Sequence, residues 1–227
     1  MPCRRRSQVK NQEYRDSDHR LPLDVRGVFM IAIRVFCRVM SFTITDLEQL
    51  QTEHPEWQME LVEGKIIVIG PSDYESEEIG TRLSTFLNIW VMSRKLGRVT
   101  GSSAGFILPR IEEDDSENRN LRAPDVSYVR ADRLKKTKRD FVELVPDLMV
   151  EIKSKSDKIK PLEEKIQLFL QLGSVVGILI DPDKLTVTVY RLNQTPVVLQ
   201  NGDTLTLPDL LLGWELAISE LWPSEFE

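Results

Sequence analysis

The alternation of apolar and polar positions becomes orderly at Met40. Thr45-Asp46-Leu47-Glu48 has capping-box spacing, with a hydroxyl three residues before an acid, and opens a short helix through Leu50. Met59 to Val62, Glu63-Gly64 and Lys65 to Ile69 then read as a hairpin whose two-residue turn carries a glycine for a positive φ. A long helix follows, acidic at its start near Glu75–Glu78. Within it Ile79, Leu83, Phe86, Leu87 and Trp90 recur at offsets of 4, 7, 8 and 11, an apolar stripe of helical period.

After Gly97 the period shortens. Arg98–Thr100, Gly105–Leu108, Val126–Val129 and Leu148–Lys153 read as strands separated by polar or proline-containing loops. A second helix is expected over about Leu162–Leu172, with Leu162, Ile166, Phe169 and Leu170 inward and Gly173 as its stop. Val175–Ile180 is a buried strand, Asp181–Lys184 a turn and Thr186–Tyr190 an alternating strand. Strand, helix, strand in this order predicts an α/β chain with a mixed central β-sheet flanked by helices.

Composition changes this picture at the N-terminus. Residues 1–40 carry a net charge of +5 and both cysteines, Cys3 and Cys37, whereas residues 41–227 carry −11. They show no regular period, so we expect a non-domain extension over 1–40 and one domain over 41–227. The domain, having no thiol, is neither a disulfide scaffold nor a Cys-ligated zinc module, which fits a reducing cytoplasm. No apolar run approaches the length that spans a bilayer, and no secretory signal is legible. The run Glu112–Glu117 reads as a solvated loop.

Candidate chemistry concentrates at three places: Pro124-Asp125 opening one strand, Glu151-Ile152-Lys153 closing the next, and an acid at the start of the long helix. Side chains at i and i+2 of a strand share a face, so Glu151 and Lys153 are expected to point together while Ile152 enters the core. Two carboxylates from adjacent strands suit a hard divalent cation that keeps several waters, and a lysine beside them can orient a water. The bland alternative is a turn aspartate and a solvated ion pair. For the helix we favour Glu78 at the ion, directly or through water, with Glu77 as the rival, since at about 100° apart only one points inward. Lys165 is expected to face the cleft from the second helix, against the plain reading of an exposed neighbour of Glu164. Lys135, Lys136, Lys138 and Arg139 form a basic loop cluster; such clusters are usually solvated, but beside an acidic metal cleft this one can meet phosphates. His19 and His54 lack partners at ligand spacing.

From about Phe42 to Trp222 the chain resembles the bacterial Uma-two family of putative endonucleases, formerly a domain of unknown function, in the PD-(D/E)XK restriction-endonuclease-like superfamily. The resemblance is carried by Glu60-Leu61-Val62-Glu63-Gly64, Gly105-Phe106-Ile107-Leu108-Pro109, Arg122-Ala123-Pro124-Asp125-Val126-Ser127, Pro146 to Ser154, Glu164-Lys165, Gly173, Ile180-Asp181-Pro182 and Val189-Tyr190-Arg191. It implies a restriction-endonuclease-like core and Mg2+-dependent DNA cleavage, with Mn2+ as a substitute. In that family's pattern Asp125 and Glu151 would hold the metal and Lys153 would be the catalytic lysine; we also expect Ile152 at the metal and Lys165 at the substrate. Lys155 replaces the family's usual proline in the loop after the site, and Phe169 replaces its usual tyrosine four residues after Lys165. The expected partner is DNA, with no membrane, and a homodimer is left open. The alternative function is a catalytically idle member of the fold that binds nucleic acid or protein.

Overall fold

The computed structural model describes residues 41–110 and 120–225. The expected extension over 1–40, with both cysteines and His19, and the acidic run Glu112–Glu117 lie outside the described residues.

Helix α1 spans Ile44–Glu53. Its capping box sits two residues earlier than the sequence spacing suggests: Asp46 N–H donates to Thr43 Oγ1 at 3.3 Å and Asp46 Oδ2 accepts from Thr43 N–H at 2.7 Å. A short aspartate closes the box as well as a glutamate would, so Thr45 lies inside the helix. Strands β1 (Gln58–Val62) and β2 (Lys65–Ile69) pair antiparallel about Glu63-Gly64. Both turn residues take positive φ, 48° and 72°, as the hairpin turn matching strand twist requires. Helix α2 runs over Tyr74–Arg94 and is capped by Asp73, whose carboxylate accepts from Ser76 N–H at 3.0 Å.

Then come β3 (Gly97–Gly101), β4 (Phe106–Ile107), β5 (Leu121–Arg122), β6 (Val126–Arg130) and β7 (Leu148–Ile152). Helix α3 (Ile159–Gln171) leads to β8 (Val176–Asp181), β9 (Thr186–Tyr190), β10 (Val197–Leu199), β11 (Thr204–Leu207) and β12 (Leu211–Ala217). The central sheet has six strands in the order β10-β9-β8-β7-β6-β3. Only β7 and β8 run parallel, joined by α3, and the other neighbours are antiparallel. A second sheet has the order β2-β1-β5-β4, and β11 and β12 form a hairpin.

Every residue of β7 and β8 is buried, because helices cover both faces. On one face Ile79, Leu83, Leu87 and Val91 of α2 pack with Val126, Leu148, Val150 and Ile178. On the other, Ile166, Phe169 and Leu170 of α3 pack with Val129, Met149 and Leu179. The alternation puts Glu151 on the face of Met149, toward α3. Gly177 lets α3 come close, since a Cβ there would stand 2.4 Å from Ile166 Cγ2. No helix among the described residues is long and apolar enough to cross a membrane.

Candidate active site

Because β6 and β7 are antiparallel with Val126 opposite Val150, the residue entering β6 and the penultimate residue of β7 arrive at the same end of the sheet. They are Asp125 and Glu151. Asp125 is fixed by its neighbour strand: Oδ2 accepts from Ile152 N–H at 2.7 Å. Lys165, in the second turn of α3, brings Nζ to 2.9 Å from Glu151 Oε1 and 3.2 Å from Glu60 Oε1, and donates to the Ala123 carbonyl at 2.9 Å. Glu60, on β1, also accepts from Ala123 N–H at 2.8 Å and pairs with Arg122 Nε at 3.0 Å. The second sheet is thereby tied to the first through an ordered row of charges, Arg122, Glu60, Lys165 and Glu151.

The row is short of positive charge. Glu60, Asp125 and Glu151 face two cations, and only 10% of the Lys165 side chain is exposed. Burial pushes the Glu151 carboxyl up to about 8, against the pull of Lys165 and with a further push from Asp125. Burial also raises Asp125, opposed by the Ile152 N–H and Lys165 and reinforced by Glu77. Burial disfavours the Lys165 ammonium, yet Glu151 and Glu60 outweigh it and hold its pKa above the ordinary lysine value.

These groups open onto a cleft of about 910 Å3 between α2, the end of β3 and α3. Asp125, Glu151, Ile152 and Lys165 all line it, so the structure brings four of the expected residues together. Ile152 contributes its amide to Asp125 and packs its side chain toward Gly80, where a Cβ would stand 3.2 Å from Ile152 Cδ1. Lys165 contacts carboxylates and a carbonyl rather than lying exposed beside Glu164.

Two expected residues lie elsewhere. Glu78 turns away to Arg82 at 2.9 Å, and Glu77 lines the cleft in its place. Ile79 and Leu83 take the sheet side of α2, which leaves Glu77, Thr81, Ser84 and Asn88 as a row facing the cleft at helical spacing. Lys153 does not follow Glu151 into the site. It stands one residue past the end of β7, where its N–H donates to the Ile180 carbonyl and its Nζ lies 2.6 Å from Asp183 Oδ2. The hydrogen bond that its ammonium donates to Asp183 raises its pKa first, and burial opposes it. Strand alternation gives the direction in which Lys153 leaves the chain, but its long stem bends to the nearer acid beyond β8.

Glu60 and Arg122 are the site residues that sequence reasoning missed. In isolation Glu60 reads as the solvent position of a hairpin between Met59 and Leu61, yet all three are buried. The available signal was Arg122, a second charge on a short apolar run ahead of Pro124-Asp125.

The donor set admits a divalent cation. Two carboxylates with raised pKa values share the end of one strand pair, and one more positive charge would balance the row. Among the described residues no three acids, histidines or cysteines group to hold an ion alone. Mg2+ commonly takes one or two carboxylates and completes its shell with water and substrate phosphate, so Asp125 and Glu151 suffice.

A mixed sheet carrying acids at one end of an antiparallel strand pair, with a helix on each face, is a restriction-endonuclease-like α/β architecture. The chain belongs to the Uma2 family, described as putative restriction endonuclease, whose sequence model matches residues 44–219. A solved structure described as a putative nuclease of DUF820 from Anabaena variabilis is 23% identical and superposes with a TM-score of 0.61. The match covers 72% of this chain and 88% of that one, and it shows the shared fold. No curated protein matches the chain.

Proposed function

We propose that the cleft is the active site of a divalent-metal-dependent endonuclease that hydrolyses DNA phosphodiester bonds, using Mg2+ or Mn2+ held by Asp125 and Glu151. The observation that carries the reading is the charge shortfall at those two carboxylates, on a cleft wall, beside an ammonium that has almost no contact with solvent. The family to which the chain belongs supports the reaction class. When bound, the ion would polarise the phosphate and lower the pKa of a water.

The chain's own residues supply the rest. Ile152 N–H fixes the orientation of Asp125, and Glu151 gives up its proton as positive charge arrives. Lys165 then shares its ammonium between Glu60 and the cleft, where it can hold the attacking water or offset charge growing on the phosphate. Lys165 therefore takes the role expected of Lys153. Glu77 on the facing wall is placed to orient a water. The chain that stays idle would show the same fold without the chemistry, and the same assay separates the two.

The test combines calorimetric titration of Mg2+ and Mn2+ with cleavage assays on single-stranded, duplex and branched DNA. Metal-dependent cutting that disappears in Glu151→Gln and Lys165→Ala supports the reading. Wild-type cutting by both variants on every DNA form would overturn it, and metal binding without cutting would favour the idle fold.

A further inference from the structure

At the other end of β6 the loop toward β7 carries Lys135, Lys136, Lys138 and Arg139, all exposed. Among the described residues none of the four has an acid within ion-pairing distance, although the domain around them is net negative. The loop is held in place rather than left hanging. Arg98 of β3 donates to the Leu134 and Lys135 carbonyls at 3.1 and 3.0 Å, and Ala131 N–H donates to the Leu96 carbonyl at 2.9 Å.

Lys138 and Arg139 also line a groove of about 620 Å3 with Arg98 and Thr100. The groove borders the active-site cleft: Arg98–Thr100 and Ser103–Gly105 line the groove, while Gly101 and Ser102 between them line the cleft. We propose that this loop and groove form a second phosphate-binding surface that grips duplex DNA away from the cut. The proposal rests on the endonuclease reading for the cleft and adds to it the form of substrate.

Spacing and charge both argue for a duplex. Five strand residues separate Asp125 from Arg130, or about 17 Å at about 3.4 Å per residue. A duplex advances about 3.4 Å per base pair, so one phosphate in the cleft places others at the loop about five base pairs on. Lysines and an arginine without acid partners contact phosphates regardless of sequence, so the surface sets position and length dependence rather than base preference.

The test replaces Lys135, Lys136, Lys138 and Arg139 together by glutamine in the full chain. Binding of a fluorescein-labelled hairpin duplex of about 24 base pairs is measured by anisotropy in chelator over a range of salt. Each lost phosphate contact lowers the slope of log K against log salt by about 0.9, so the slope should fall by about 3–4. Matching thermal melts confirm that the exposed replacements leave the fold intact.

An unchanged slope overturns the surface. If the wild type cuts DNA and the slope does not change, only this inference falls. If the slope falls as expected and no condition yields cutting, the surface stands and the cleavage reading falls. Absence of duplex binding by the wild type ends both.

Discussion

Strand β7 is flanked by two buried acids with opposite fates. Asp147, just before it, is fully enclosed and faces Arg130 Nε and Arg133 at 3.0 Å each, while Arg130 N–H donates to its second oxygen at 3.0 Å. Its backbone is equally engaged, donating to Tyr128 and accepting from Val175 and Val176. Glu151, at the far end, has one ammonium that it must share with Glu60. Asp147 has more positive charge than it needs, and Glu151 has less. A buried carboxylate with two guanidinium groups holds β6, β7 and the start of β8 together, whereas one left short retains a raised pKa and an appetite for a cation.

The sharpest way to break this contrast is to neutralise each acid. Glu151→Gln should cut DNA cleavage by at least about 10²–10³-fold and weaken Mn2+ binding, with the folded state retained. Asp147→Ala should instead cost about 3–5 kcal/mol in urea unfolding, because two cations lose their shared partner, while the molecules that stay folded keep their cleavage rate. If both variants lost stability alone, Glu151 would be another Asp147.

The two lysines sharpen it next. Lys165→Ala should slow single-turnover cleavage by about 10²–10³-fold, and Lys153→Ala should leave it near wild type, since Lys153 holds Asp183 outside the cleft. The reverse ranking would restore Lys153 to the site.

Acidity gives a subtler comparison. Glu151 has a folded pKa raised to about 8 from 4.5, so the folded chain binds the extra proton. Its contribution to stability is complete below about 4.5, declines as pH rises and is exhausted above about 8. Melting temperatures of wild type and Glu151→Gln should therefore diverge in favour of the variant across that window. Mn2+ binding near pH 7 should release close to one proton, read from calorimetry in buffers of different ionisation enthalpy. The smallest effect is expected at Gly177→Ala, where crowding Ile166 should cost about 1–3 kcal/mol and move Lys165 off Glu151, seen as a lowered cleavage rate.

How far the sequence carried this picture depended on whether a feature was local. The β1–β2 hairpin, α2, α3 and the strand-helix-strand unit through β8 were legible because apolar period and turn chemistry are written within a few residues of each other. The two-residue strands β4 and β5 carry too little pattern to mark their limits, and β10 to β12 were not assigned. The pairing of Asp125 with Glu151 was legible, since two neighbouring strands deliver it. Glu78 was favoured over its rival Glu77 because both acids open the same turn, and the helix face is set by the small polar row that follows. Lys153 failed because a strand rule was applied one residue past the strand. Glu60 was invisible as a site residue because the groups that engage it, Arg122, Ala123 and Lys165, all lie far along the chain from the hairpin.

The contact between Glu60 and Lys165 joins the two sheets at the point where Glu151 needs its cation. Local opening of the small sheet would withdraw one of the two acids that hold Lys165 and leave that ammonium wholly to Glu151. Fluctuation of the β1–β2 hairpin and the proton on Glu151 are thus linked in one equilibrium, and amide exchange along β1 should report the protonation state of a residue in another sheet.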